Sequence, residues 1–195
     1  MRFGRQWCGD SGLSKGGPKW LNWPIQPHKK GQSSMQVAIR TASVLDADGI
    51  CLAVRRSITE CCAADHQDAP SLVAKWLENK TAKNVALWVQ EPSSIPLVAT
   101  VCEDVVGFAL YGKGELALCY VVPEVLHKGV GKLLLQAIES RVITQGFTTI
   151  RVDSSQTGSG FYLRNGFRAT GPSVSWAGME CQPMVKDLME FPRAL

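Results

Sequence analysis

The sequence lacks any long apolar run. No stretch approaches the roughly 20 consecutive apolar residues that a helix needs to cross a bilayer. The basic residues near the N-terminus are not followed by the apolar segment of a secretory signal, because glycines and prolines interrupt residues 11–34. These absences argue against a membrane protein and against a secreted one, so we predict a cytoplasmic protein.

Patterns of metal-binding residues are also scarce. The chain has three histidines, far apart in sequence, and seven cysteines without a Cys-x-x-Cys pair. The adjacent Cys61 and Cys62 do not have the spacing of zinc ligands. An odd number of cysteines, several of them inside apolar runs, is typical of free thiols in a reducing compartment. We therefore predict no metal site.

An excess of basic over acidic residues is confined to the beginning of the chain. Residues 1–34 carry six basic residues and one acidic residue, whereas the remainder carries 15 basic and 16 acidic residues. Charge thus gives no support for nucleic-acid binding by the folded body. We predict a poorly ordered basic leader over residues 1–34 and one domain over residues 35–195. Two alternatives stay open: a basic-aromatic arm for a nucleic acid or a partner, or a natural start at Met35.

The spacing of apolar residues predicts an α+β fold. Alternating or apolar runs indicate strands at residues 36–40, 96–102, 105–111, 115–122, 148–153, 167–169 and 182–186. Helical spacing indicates helices at residues 46–62, from residue 70, and at 84–90, 129–145 and 158–165. A helix connects the strand at 115–122 to the strand at 148–153, and such a crossover predicts that these two strands are parallel.

A phosphate-binding turn is indicated where a strand ends at Pro123 and a helix begins at Gly129-Val130-Gly131. Glycine lets a ligand approach the backbone, and the free N–H groups of a first helical turn favour a pyrophosphate. Lys128 and Lys132 add positive charge. The residues do not fit a Walker loop or a dinucleotide fingerprint, which require glycine, serine, threonine or alanine where this chain has leucine. A plain turn with packing glycines remains the alternative.

Two segments together resemble a known family. Val121-Val122-Pro123 followed by Lys128-Gly129-Val130-Gly131 is similar to the acyl-CoA loop of the GNAT superfamily of N-acetyltransferases. The strand at 150–155 and the segment Gly160-Phe161-Tyr162-Leu163-Arg164-Asn165-Gly166-Phe167 resemble its later elements. With similar first and last strands, the resemblance covers about residues 36–190.

The resemblance implies a mixed, mostly antiparallel sheet of about six to seven strands flanked by helices. Its fourth and fifth strands splay apart, and acetyl-CoA lies between them. The backbone of Val121 and Val122 would pair with the pantetheine arm. Ser155 stands where many members of the family have an asparagine that contacts the cofactor. The N–H groups of one continuous segment would hold the pyrophosphate: His127, Lys128, Gly129, Val130, Gly131 and Lys132.

The resemblance also implies the catalytic groups. Tyr162 stands where the family places its general acid, with a core tyrosine as the alternative. A tyrosine hydroxyl with an ordinary pKa of about 10 is protonated at pH 7 and can protonate a leaving thiolate. Glu115 resembles the glutamate base of the histone-modifying branch, and its even spacing from Val121 predicts one shared strand face. A solvent-facing Glu115 is the alternative, with Asp153, Glu124 or a water chain as base.

Two further side chains are weaker candidates. Cys119 could form an acyl-cysteine, although no histidine or aspartate lies near it in sequence. Asp65 and His66 precede a helical stretch that would flank the acceptor in this fold, so they either contact the substrate or form a turn or cap.

The sequence thus predicts an N-acetyltransferase that moves the acetyl group of acetyl-CoA to an amine in a ternary complex. The amine belongs to a small molecule or a peptide that the sequence does not identify. A non-catalytic acyl-CoA sensor or interaction module is the alternative. Dimers are common in the superfamily, so a homodimer is compatible with the sequence, although no feature points to an interface.

Overall fold

One mixed sheet passes through the part of the chain that the computed structural model describes, residues 36–176 and 178–188. The sheet has the strand order β1-β2-β3-β4-β5-β8-β6, and β7 pairs with β8. Its strands are β1 Ala38–Thr41, β2 Ser94–Val101, β3 Asp104–Gly112, β4 Glu115–Val121, β5 Thr149–Ser155, β6 Arg168–Ala169, β7 Val174–Trp176 and β8 Met179–Asp187. The predicted α+β class and mixed sheet are confirmed.

Six α-helices cover the sheet in the described ranges: α1 Ala47–Cys61, α2 Ala63–His66, α3 Pro70–Leu77, α4 Ala82–Gln90, α5 Val130–Thr144 and α6 Gln156–Arg164. The sequence predicts five of them, and α2 and β7 are the elements that it misses. Both are short, with four and three residues, so neither contains enough periodicity to be recognised. The predicted leader lies outside the described residues.

Two apolar cores occupy opposite faces of the sheet. On one face, α5 buries Leu134, Ile138 and Val142, which recur at helical spacing. On the other face, α1, α3 and α4 bury a second cluster that includes Trp76 and Trp88. Each fully buried large apolar side chain contributes about 1.5–3 kcal/mol to folding, so the two cores hold the sheet rigidly between the helices.

The β4 and β5 strands are parallel, but they separate almost at once. A single residue pair, Glu115 with Arg151, lies in register between them at the beginning of β4. Every other strand pair in the described sheet is antiparallel. The carboxyl ends of β4 and β5, at Val121 and Ser155, therefore form the two sides of an opening. This is the predicted splay of the fourth and fifth strands.

A β-bulge corrects one prediction about β4. The register of β4 against β3 shifts beside Ala117, and Leu116 lies in the core under α5 whereas Leu118 lies in the opposite core. Val121 packs on the α5 side, as Leu116 does. Because Glu115 is adjacent to Leu116, its side chain points to the opposite face. The even spacing of Glu115 and Val121 thus does not place them on one face.

Candidate active site

A cleft of about 760 Å³ opens between the diverging ends of β4 and β5. The beginning of α5 and one face of α6 form one end of it. The other end is formed by the end of α1, the loop before α4, and β7 with β8. Its volume is in the range of small-molecule binding sites.

The α5 end of the cleft begins with a glycine turn and a helix N-terminus, the geometry typical of anion-binding turns. Gly129 precedes the helix with a φ of +87°, a conformation that side chains rarely adopt, and a Cβ there would meet nothing within 4 Å. The N–H of Leu133 donates to Gly129 O at 3.0 Å. The N–H groups of Val130, Gly131 and Lys132 precede this bond and lie in the first turn, where helix geometry leaves donors free for a ligand.

His127 and Lys128 contribute differently from the prediction. His127 lines the cleft and has a φ of 60°. The N–H of Lys128, however, donates to Val125 O at 3.1 Å and closes a turn. Of the six predicted backbone donors, that of Lys128 is therefore already used, which leaves only its exposed side chain to face a ligand.

Val121 and Val122 also differ in whether their main-chain groups are free to pair with a ligand. The N–H of Val122 donates to Val106 O at 2.9 Å, and its carbonyl accepts from Val125 N at 3.1 Å. Both main-chain groups of Val122 are therefore engaged within the protein. Consecutive residues of a strand direct their N–H groups to opposite sides, so Val121 faces the opening toward β5. Val121, and not Val122, is placed to pair with an extended ligand.

Tyr162 lies in the wall of the cleft on α6 and is 7% exposed. Its ring packs edge-on against Phe161 and Phe167, with centroid distances of 5.1 and 5.2 Å. Burial raises the pKa of the Tyr162 hydroxyl well above its ordinary value, so the group keeps its proton at neutral pH. A Cβ on Gly158 would stand 3.3 Å from the Tyr162 ring, so the glycine one turn earlier makes room for it.

Two carboxylates line the cleft, Glu115 at the beginning of β4 and Asp153 on β5. Glu124, the other residue predicted as an alternative base, is held in an ion pair with Arg56. Arg56 on α1 donates to its two oxygens at 2.7 and 3.2 Å. This hydrogen bonding lowers the pKa of Glu124. Glu124 therefore fixes the loop before α5 to α1.

The first turn of α6 is held by side-chain caps. Ser155 Oγ accepts from Gly158 N at 3.3 Å while the residue lines the cleft. Asp65, 8% exposed, accepts from Gln156 N at 2.6 Å and from Thr157 N at 3.3 Å. Of the two predictions for Asp65, the structure supports the cap, because its carboxylate serves the backbone of α6.

His66 is also engaged within the protein, as a buried residue of the fold. It is 1% exposed, its Nε2 lies 3.1 Å from Ile58 O, and its Nδ1 accepts from Asp68 N at 3.1 Å. Both ring nitrogens are therefore occupied within the protein.

Cys119 does not have the properties of a nucleophile. Burial raises the pKa of its thiol to about 12, so the thiolate is scarce at neutral pH. This is consistent with direct transfer to the amine.

Sequence reasoning missed Asn79 and Lys80, which line the cleft beside Trp88. Lys80 is 4% exposed and lies in the loop between α3 and α4. A lysine between two helices normally faces solvent, and no sequence signal marks this one as buried.

Residues 36–176 and 178–188 contain no group of three or more histidine, cysteine, aspartate or glutamate side chains that could hold a metal ion. Within these same ranges, no helix has the length and apolarity required to cross a membrane.

Comparison with known proteins agrees with this geometry. The family model of the acetyltransferase (GNAT) domain matches residues 64–188. The chain belongs to this family. It is an acyl-CoA-dependent N-acetyltransferase that uses acetyl-CoA as its co-substrate, and the Gly129 turn and the opening beside Val121 fit the phosphates and the extended arm of that molecule.

Individual relatives share both sequence and fold. The chain is 26% identical over 146 residues to spermidine N(1)-acetyltransferase of Thermoplasma acidophilum, covering 69% of this chain and 89% of the relative. A GCN5-related N-acetyltransferase from Rhodopseudomonas palustris superposes with a TM-score of 0.70 at 24% identity, over 80% of this chain and 99% of that one. The PaiA N-acetyltransferase of T. acidophilum, solved with coenzyme A, gives a TM-score of 0.69 at 22% identity, over 78% and 99%.

Proposed function

We propose that this N-acetyltransferase acts in the cytoplasm on an amine of a small molecule or peptide, by direct transfer within a ternary complex. The observation that carries this proposal is the position of Tyr162, buried and protonated in the wall of a cleft whose far end is the Gly129 turn. Residues 35–195 would form the catalytic domain, preceded by a basic leader. The proposal requires neither a second copy of the chain nor a nucleic acid.

The proposed chemistry begins with the amine. An alkylammonium must lose a proton before its nitrogen can attack the thioester carbonyl, and Glu115, directly or through water, accepts that proton. As the new C–N bond forms and the C–S bond breaks, the Tyr162 hydroxyl donates its proton to the departing sulfur. Asp153, on the facing strand, is the second carboxylate available as base.

A polyamine is one candidate acceptor. The relative from T. acidophilum is named a spermidine N(1)-acetyltransferase. Glu115 and Asp153 could attract a cationic amine to the opening between β4 and β5. The cleft also contains a buried cation, Lys80, whose charge bears on the choice of acceptor.

The phosphate-binding end can be tested by thermal unfolding of the wild type, Gly129→Glu and Gly146→Glu, each with and without about 1 mM acetyl-CoA. The two glycines are matched, because each has a positive φ (87° and 84°) and open space around its Cβ position, at opposite ends of α5. Ligand at 100 times its dissociation constant adds about 2.7 kcal/mol, or roughly 5–10 °C in a chain of this size.

We expect acetyl-CoA to stabilise the wild type and Gly146→Glu, and to leave Gly129→Glu unchanged. Equal shifts in all three proteins would show that the Gly129 turn does not bind the phosphates, and the absence of any shift would contradict acetyl-CoA binding at this site.

A further inference from the structure

Lys80 is a buried cation in the wall of the cleft. Its side-chain nitrogen donates one hydrogen bond, to Asn79 Oδ1 at 2.5 Å. It also lies over the ring of Trp88, 5.7 Å from the centroid, within the distance of a cation–π contact. No carboxylate among the described residues forms an ion pair with it. An ammonium has three N–H donors, so two remain for a ligand.

The burial of this charge is costly. Removing an ammonium from water without an opposite charge disfavours folding, and the same burial lowers the pKa of Lys80 to about 8. The group is therefore mostly protonated at neutral pH. An apolar residue of similar size would occupy the same space without this cost. A bound anion would offset the cost, because it places an opposite charge beside the buried ammonium.

The phosphates of acetyl-CoA are not that anion. The Gly129 turn leads into α5, which packs on one face of the sheet, whereas Lys80 lies over Trp88 in the core of the opposite face. The phosphate end has its own cation in Lys132, which lines the cleft there. Lys80 instead belongs to the end formed by α1 and α4, where the acceptor must enter.

The donors suit a carboxylate. They comprise the remaining N–H groups of one ammonium and the amide nitrogen of Asn79, whose oxygen is already used by Lys80. A carboxylate carries one charge and two oxygens, which these donors can satisfy. A phosphate carries more charge and more oxygens than one cation and one amide can match.

We infer that Lys80 and Asn79 form a subsite for a carboxylate of the acceptor, which is therefore a small amine that also carries a carboxylate, such as an amino acid. This inference rests on the proposed function. A polyamine would instead place a second ammonium in the cleft with Lys80, and like charges repel in a site of low dielectric.

The test compares the wild type with Lys80→Met, Lys80→Arg and the control Lys83→Met, which removes an exposed lysine on α4 three residues away. The probes are amino acids whose amine and carboxylate are separated by one to five carbons, each beside its carboxamide, together with spermidine. The first readout is kcat/KM from the release of CoA thiol. The second is the melting-temperature shift that each probe causes in protein saturated with acetyl-CoA, which does not require turnover.

We expect the wild type to favour at least one acid over its carboxamide by about 10- to 100-fold, the value of a charge-assisted hydrogen bond. Lys80→Met should reduce this ratio to near one, whereas Lys80→Arg should retain part of it and Lys83→Met all of it. The melting shifts should follow the same order.

Three results would overturn the inference: a wild-type preference for carboxamides or spermidine, an unchanged ratio in Lys80→Met, or no response to any acid. If acetyl-CoA still stabilises the wild type in those cases, the proposed function stands and only the carboxylate subsite is wrong. If acetyl-CoA itself gives no shift, both fail.

Discussion

Tyr162 combines three properties that a proton donor needs, namely a position in the cleft, burial and a raised pKa. We expect Tyr162→Phe to lower kcat by about 100-fold, because the thiolate then leaves without a proton. The acetyl-CoA melting shift should persist, since the ring remains in place. Tyr111→Phe is the matched control. Tyr111 is also buried, and its hydroxyl has no hydrogen-bond partner among the described residues. An undiminished kcat in Tyr162→Phe would remove the tyrosine from the mechanism.

The buried charge of Lys80 predicts a dependence of stability on pH. Its pKa is about 8 in the folded protein and 10.5 as an ordinary lysine. Below pH 8 both states are protonated, and the full cost of burial applies. Between pH 8 and 10.5 the unfolded chain binds more protons, so the free energy of unfolding rises with pH. The cost is on the order of 3 kcal/mol, from about 1.4 kcal/mol per pKa unit.

Lys80→Met should therefore be more stable than the wild type at pH 7, and the difference should narrow as pH rises to 10.5. Chemical denaturation across this range measures it, with Lys83→Met expected to follow the wild type. A constant difference at all pH values would mean that the Lys80 ammonium is not buried.

Three residues show how far single positions can be predicted from sequence. Tyr162 was found because it occurs in a recognisable segment before Gly166 and Phe167. Lys80 was missed because its burial depends on where Trp88 and the end of α1 are brought by the tertiary fold. Glu115 was assigned to the wrong face because one extra residue in β4, at Ala117, reverses the alternation that the prediction assumed.

The α6 helix depends on a residue far away in sequence. Asp65, on α2, binds the first two N–H groups of α6, whose later turn carries Tyr162. We expect Asp65→Ala to lose about 1–2 kcal/mol of stability, because it removes the carboxylate that caps the first two N–H groups of α6. It should also lower kcat, because α6 no longer holds Tyr162 firmly. Asp65→Asn, which keeps one acceptor oxygen, should recover part of both.

Asp46→Asn is the control for this prediction. Asp46 binds Arg40 through both oxygens at 2.6 and 2.8 Å, so its loss should destabilise the protein without lowering kcat. If Asp65→Ala likewise lowered the stability but not kcat, the carboxylate would cap α6 without positioning the tyrosine.

Helices and strands with long periodic patterns were the most predictable elements. In α5, buried residues recur at Val130, Leu134, Ile138 and Val142, and the helix ends close to the predicted Gly146. The interruption of pairing between β4 and β5 followed only from the family resemblance, since their apolar pattern resembles that of strands paired along their full length. Short elements such as α2 depend on tertiary contacts and left no sequence signal.

At the scale of the whole molecule, one cleft has two ends with different linings, the beginning of α5 at one end and α1 with the loop before α4 at the other. In the proposed function, acetyl-CoA binds at the end at α5, and the acceptor enters at the end formed by α1 and α4. We expect initial rates, measured over a grid of acetyl-CoA and amine concentrations, to give intersecting double-reciprocal lines, as for a ternary complex. Cys119→Ala should retain most of kcat, because the buried thiol carries no acyl group. Parallel lines, with loss of activity in Cys119→Ala, would indicate an acyl-enzyme instead.

The separation of β4 from β5 leaves the middle of the sheet without the hydrogen bonds that elsewhere join its strands. A ligand that pairs with Val121 fills this gap and becomes, in effect, a removable strand. Bound at 100 times its dissociation constant, it would lower the population of unfolded chains about 100-fold. Cellular proteases act largely on such open chains. The lifetime of this enzyme in the cell would then depend on the supply of its own acetyl donor, so that starvation for acetyl-CoA would reduce the amount of enzyme as well as its rate.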